Sequence, residues 1–360
     1  MLRKGTFILM KTKIQDMTSG SPGRLIILFA IPLMLGNICQ QLYTMVDTMV
    51  VGQVAGVEAL AALGAVDFLM WVVTGISTGL TQGFSIQLSQ YYGAKDFENL
   101  RKSLAHSYRL TAFIAAGVLI LSQSFASLVL TGLHTPSNII GMSLLYLRII
   151  FCGIPATAAY NMFASALRAM GNSKTPLTAM IIASVLNVSL DILFVAGFGW
   201  GVAGAAIATV IAQSFSAVYC FLILRRIDIV HLTRADFMPA SGMNARLMKL
   251  GIPVVFQNII IGVGGLVVQY VINGYGFLFV AGFTATNKLY GLLEMAAISY
   301  GYAIVTYVGQ NLGAGKIDRI RKGVRSSMLL SLLTSLIISA AMFLFGKNIL
   351  SLFISGEPQQ

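Results

Sequence analysis

Ile31-Pro32-Leu33-Met34-Leu35-Gly36-Asn37-Ile38-Cys39-Gln40-Gln41-Leu42-Tyr43-Thr44-Met45-Val46-Asp47-Thr48-Met49-Val50-Val51-Gly52 is an apolar segment with a proline near one end and a carboxylate near the other. Its length decides the class, because a helix needs about 20 such residues to cross a bilayer. A carboxylate inside such a helix costs about 3 kcal/mol on insertion scales, so it normally faces a cavity or a partner and has a function there. Asp47 is therefore the first candidate site residue. The alternative is that it caps the membrane edge, since Gly52 follows within two turns.

The rest of the chain agrees with that class. Apolar residues make up 57% of the 360 residues and charged residues 10%, as in a polytopic membrane protein. Backbone groups in lipid must satisfy one another, so each recurring apolar run reads as a helix. The net charge of +12 could suggest nucleic acid, but the basic residues sit in short segments between apolar runs, which excludes that partner and points to the bilayer. Cys39, Cys152 and Cys220 all lie inside apolar runs and behave as small hydrophobes.

Helices are expected at 25–51, 59–83, 108–131, 139–164, 177–198, 202–224, 250–273, 279–307 and 326–346. The connections Lys95–Arg109, Arg168–Lys174, Arg225–Lys249 and Lys316–Arg325 are basic. Of 24 Lys and Arg, all but Arg148, Lys288 and Lys347 fall there or on the N-terminal arm. This positive-inside pattern predicts a cytoplasmic N-terminus.

Ser89-Gln90-Tyr91-Tyr92-Gly93-Ala94-Lys95 aligns with Gly309-Gln310-Asn311-Leu312-Gly313-Ala314-Gly315, an offset of 220. Ile31-Pro32 and Asn37 match Ile252-Pro253 and Asn258 at 221. Two parallel-repeat helical lobes follow, as in several transporter folds. The expected organisation is an arm over 1–24, a first lobe of six transmembrane helices over 25–226, a linker over 227–249, and a truncated second repeat of about three helices over 250–360.

Asn187 and Asp191 stand at i and i+4 on the fifth helix and share a face; Thr209 lies on the sixth. Topology puts Asp47, Asp191 and Thr209 about five to eight residues from the outer membrane edge, at one depth. Two carboxylates in one low-dielectric pocket call for a proton or a cation. Lys288 aligns with Asp67 across the repeat; Lys288, Glu294 and Arg148 have no role assigned from sequence.

Gly75-Ile76-Ser77-Thr78-Gly79 matches the Gly-x-Ser-x-Gly nucleophile pattern and raises an intramembrane serine hydrolase as an alternative. His106, His134 and His231 fall in or beside connections, however, and Gly75, Gly79 and Gly83 recur every four residues as a helix-packing face does. No phosphate loop and no His/Cys/Asp metal cluster is present in the sequence. No enzyme activity and no cofactor are therefore expected.

Pro32 with Gln40-Gln41-Leu42-Tyr43 and Val46-Asp47-Thr48, Leu167-Arg168-Ala169-Met170-Gly171-Asn172, and the Gly-Ala turns near 93 and 313 resemble the multidrug and toxic compound extrusion (MATE) family, most closely its DinF-like bacterial branch. The resemblance implies an all-α transporter of twelve helices in two lobes, monomeric, in the bacterial inner membrane. It implies export of organic cations or amphipathic drugs in exchange for Na⁺ or H⁺. Asp47, Asn187, Asp191 and Thr209 match the family's first-lobe cation site, with Na⁺ or a proton held at Asp47, Asn187 and Asp191. Gln40, Tyr43, Asn161 and Met34 are candidate cavity residues, and Pro32 and Gly36 candidate hinges. This chain has Ala164 where the family often places an Asn, and Ile261 where the NorM-like branch carries an acid, which argues against a second-lobe ion site. A lipid-linked oligosaccharide flippase of related fold is the alternative within transport.

Overall fold

The computed structural model describes residues 14–133, 135–273 and 277–351. Among the described residues there is no strand. The α-helices run in order α1 (Pro22–Val54), α2 (Val57–Gly64), α3 (Asp67–Gly93), α4 (Phe97–Gly132), α5 (Ile140–Cys152), α6 (Ile154–Ala169), α7 (Lys174–Asp191), α8 (Gly201–Leu224), α9 (Met243–Asn273), α10 (Phe277–Gly313) and α11 (Ile317–Ser351). Among the described residues six helices are long and apolar enough to cross a membrane, or up to eight if each of two bent pairs is one span.

The bent pairs are α2 with α3, turning by 40°, and α5 with α6, turning by 46°. The second bend falls at Gly153, just before Pro155, whose missing N–H cannot continue the ladder of α5. Gly153 also lies against α8, where a Cβ would stand 2.7 Å from Val210 Cγ2.

To within a residue, each of the nine expected segments falls in one helix or one bent pair, with α7 continued by a π-helical turn over Ile192–Gly197. The main differences lie at the ends joined by Lys/Arg-rich connections, here called the basic face. Helix α4 starts at Phe97, so most of the expected connection Lys95–Arg109 is helical. Its apolar side carries Leu100 and Leu104 into the core, and Asp96 caps it by accepting the Asn99 N–H at 3.1 Å. Likewise α9 begins at Met243 rather than 250, and Pro22 opens α1 inside the expected arm. Lys11 and Lys13 of that arm, His134, and the far C-terminal residues lie outside the described residues.

The repeat appears in the element boundaries. Helices α1 and α9 start 221 residues apart (Pro22, Met243), and α3 and α10 end 220 apart (Gly93, Gly313). Pro32 and Pro253 are the prolines inside α1 and α9. The halves interlock crosswise, with α9 packed on α3, and α10 on α1 and α3. Asn37 on α1 donates to Ser299 Oγ at 3.1 Å, and its repeat partner Asn258 on α9 donates to the Gly75 carbonyl at 3.1 Å.

Gly75, Gly79 and Gly83 form the α3 surface that receives α9. A Cβ at Gly79 would stand 2.9 Å from Val255 Cα, and one at Gly83 would run into the Gly251 backbone. Towards the basic face the contact becomes reciprocal: a Cβ on Gly93 would overlap the Gln310 carbonyl, and one on Gly313 the Gln90 carbonyl. On the outside, Phe113, Ile120 and Leu128 stand exposed along α4, as expected of a lipid-facing helix.

Candidate coupling site and inter-half cavity

Helix α1 packs on α7, and α7 on α8. That arrangement buries Asp47 (5% exposed) together with Asn187 and Asp191 (both 0%). Asn187 Nδ2 donates to Thr209 Oγ1 at 3.5 Å. Asp47 is close enough for its charge to act on Asp191. The four residues singled out in the sequence thus converge from three helices.

Among the described residues neither aspartate side chain makes a helix-cap hydrogen bond, although Asp191 holds the N-cap position of the π-helical turn. Asp47 lies within α1, seven residues before its end, and Asp191 closes α7 where the chain widens into the π-helical turn. Such turns recur at functional sites. Asp47 Oδ1, Asn187 Oδ1 and both carboxylate oxygens of Asp191 are buried without a hydrogen-bond partner among the described residues. A buried carboxylate in that state is costly unless a proton or a cation joins it. Among the described residues no three of His, Cys, Asp and Glu come together. What converges is carboxylate, amide and hydroxyl oxygen, a donor set for a proton or a hard cation such as Na⁺ rather than a transition metal.

Two neighbours were missed in the sequence. Tyr146 on α5, 5% exposed, lies within electrostatic reach of Asp47 and Asp191, and Asp67 at the start of α3 acts on Asp47. Depth could have found Tyr146. It stands six residues from the Ile140 end of α5, as Thr209 stands eight from the Gly201 end of α8.

The other sequence candidates scatter. Tyr43 lines a groove between α1 and α7, together with Cys39 and Val188. Gln40 is half-buried, and Met34 packs against the cluster that joins α1 to Tyr300 and Ala303 of α10. Asn161 on α6 donates to Thr78 Oγ1 at 3.2 Å. Pro32 is buried inside α1, while at Gly36 a Cβ would make only ordinary contact with Leu177.

Thr78 leads to a different place from Tyr43: a cavity of about 440 Å³ between the halves, walled by α3, α9 and α10. Trp71, Gln82, Asn258 and Tyr302 line it, and Glu294 is the one charged residue among the described residues of its lining. At about 1.5 Å of rise per residue, Gln82 lies roughly 16 Å from the Gly93 end of α3. Between Gln82 and the basic face the halves meet at Gly83 with Gly251 and at the reciprocal contacts of Gly93 and Gly313. Ser77 is buried within α3, whereas His106 and His231 lie at the basic face. Arg148 is exposed on α5, and the side chain of Lys288 lies outside the described residues.

Similar proteins add the remaining evidence. YpnP of Bacillus subtilis, a probable multidrug resistance protein, is 31% identical over 346 residues, covering 96% of this chain and 77% of the relative. NorM of Thermotoga maritima, also a probable multidrug resistance protein, is 26% identical, covering 93% and 72%. A transporter of the MOP superfamily from Pyrococcus furiosus superposes with a TM-score of 0.90 at 23% identity, over 96% of this chain and 77% of that one. The MatE family matches in two stretches, residues 32–193 and 253–358, which open on the paired Pro32 and Pro253. With the repeat, the crossed halves and the buried aspartates, these matches mean that the chain belongs to the MatE family of membrane proteins, whose relatives here are named as probable multidrug resistance proteins.

Proposed function

We propose that the protein is a secondary antiporter that moves organic cations or amphipathic compounds outward against entry of Na⁺ or H⁺. The observation that carries this reading is the set of buried, unpartnered oxygens on Asp47, Asn187 and Asp191. A proton or Na⁺ there neutralises a pair of carboxylates that otherwise repel each other across α1 and α7, and its departure restores the repulsion. The packing of α1 then differs between the two states, with Pro32 as the point where its helical ladder already lacks a bond.

Substrate is assigned to the inter-half cavity, where Glu294 offers one negative charge among aromatic and amide side chains. A flippase for a diphosphate-linked lipid would instead need cationic residues in that lining, and the described lining has none. The membrane is read as the bacterial inner membrane with the basic face cytoplasmic, supported by the distribution of Lys and Arg.

The test is ethidium efflux from vesicles under separately imposed Na⁺ and pH gradients, for the unsubstituted chain, Asp47→Asn and Asp191→Asn. One gradient is expected to drive efflux, and each variant to reduce that rate at least about tenfold. Efflux that ignores both gradients, or that survives both substitutions, would refute antiport.

A further inference from the structure

The segment leading into each half's first helix is held by the other half. Residues 14–21 precede α1, yet their main-chain groups are bound by α10 and α11. Gln310 Oε1 accepts the Met17 N–H at 3.0 Å, and Asn311 Nδ2 donates to the Met17 carbonyl at 2.9 Å. Lys316 Nζ donates to the Thr18 carbonyl and Arg319 Nη1 to the Gly20 carbonyl, both at 2.9 Å. Met17 is completely buried.

The linker before α9 repeats the arrangement in reverse, on α3 and α4. Arg109 Nη1 donates to the Phe237 carbonyl at 2.9 Å, and His106 Nε2 lies 3.1 Å from the Met238 carbonyl. Arg101 pairs with Asp236 at 3.7 Å, and Gln87 Nε2 meets Met243 Sδ at 2.8 Å. Both crossed straps lie at the basic face, beside the reciprocal contacts of Gly93 and Gly313.

The two straps differ in what else they touch. The first also accepts a clamp from its own half: the Gln15 N–H donates to the Gly171 carbonyl at 3.1 Å, at a glycine with φ +90°. Gln310 simultaneously donates to the Ala169 carbonyl at 2.8 Å. One side chain of α10 therefore ties the strap, the end of α6 and its own half together. Arg168 of α6, stacked over Tyr302 of α10 at 4.8 Å, reinforces the same seam.

From this geometry we infer that residues 14–20 are a latch for the basic face, held shut by Gln310, Asn311, Lys316 and Arg319. The halves cannot separate there while the strap is bonded to both, so the cavity opens towards the basic face only after the strap leaves α10 and α11. The latch rests on the alternating-access reading above, but its test needs no transport.

The reporter is Gln82→Cys, a cavity-lining position on the far side of the Gly83–Gly251 contact from the basic face, in a chain whose Cys39, Cys152 and Cys220 are changed to Ala. Inside-out vesicles are labelled with a membrane-impermeant maleimide. Arg319→Ala and, separately, Gln310→Ala are expected to raise the labelling rate about tenfold. Arg321→Ala, an exposed arginine on the same helix whose ion pair is with Asp318, leaves it unchanged. Hydrogen exchange on the chain that carries only the reporter supplies the second measurement: protection of the Met17 amide falls under every condition that speeds labelling. Labelling that does not respond in either variant eluting as a folded monomer refutes the latch. So does labelling that rises while the Met17 amide stays protected, a result that decides the matter even if both variants fail to fold. Failure of antiport alone would leave these outcomes in place.

Discussion

The glycines of α3 allow a graded test of how the halves fit. At Gly75 a Cβ would meet Asn258 Cβ at 3.5 Å, an ordinary contact. At Gly79 it would stand 2.9 Å from Val255 Cα and N, so α9 must retreat by about 0.6 Å or more to restore a normal carbon separation. At Gly83 it would enter the Gly251 backbone, where no side chain can rotate away. Overpacking of this kind costs about 1–3 kcal/mol, offset by up to about 1 kcal/mol because Ala favours helix over Gly. Gly75→Ala is therefore expected to be neutral or mildly stabilising, Gly79→Ala to cost about 1 kcal/mol, and Gly83→Ala about 2 kcal/mol or more. Thermal unfolding of the purified protein in detergent, followed by loss of the monomer peak, should rank them in that order. Equal stability of Gly83→Ala and the unsubstituted chain, or equal damage at Gly75 and Gly83, would refute the packing argument.

Glu294→Gln should weaken binding of a monovalent cationic dye about tenfold while sparing an uncharged amphiphile, as measured by fluorescence titration; equal losses for both would remove Glu294 from cation recognition. Asp16 tests the latch against pH. Burial opposes its ionisation, but hydrogen bonds from Thr18 and Ser19 and the charge of Lys316 outweigh it, holding the carboxyl below the usual range. A depressed carboxylate stabilises above its unfolded pKa of about 3.9 and loses that contribution as pH falls through the folded value. Exchange protection at Met17, corrected for intrinsic rates, should therefore be flat from pH 8 to 5. Asp16→Asn should lower it about two- to fivefold across that range. Asp236→Ala removes the acceptor for the Thr233 N–H and hydroxyl (2.7 and 2.8 Å) and the partner of Arg101, and should cost about 1–3 kcal/mol in thermal unfolding.

What the sequence determined by itself was local or periodic. Apolar runs reveal spans because lipid leaves the backbone one solution, and the offset between Pro32 and Pro253 reveals the repeat because each half buries the same faces. Asp47, Asp191 and Thr209 stood out because a polar residue in such a run is costly and topology puts the three at one depth, and Asn187 because it shares a helical face with Asp191. Tyr146 escaped notice because a tyrosine in an apolar helix carries no such cost signal. The helical start of α4 escaped because a charged surface turn reads like a connection until Leu100 and Leu104 are seen to be buried.

Only the tertiary structure decided where the two halves touch. The Gly-x-Ser-x-Gly stretch became a packing surface once α9 was found against Gly79 and Gly83. A cavity lined by Glu294 and Thr78 lies on the seam between the halves, apart from the groove that Tyr43 lines between α1 and α7. Residues 14–20 became a strap because Arg319, about 300 residues further on, reaches their carbonyls. Contacts between groups so far apart in the chain leave no period or composition to read, since backbone carbonyls are present at every position and the fold alone selects which are bonded.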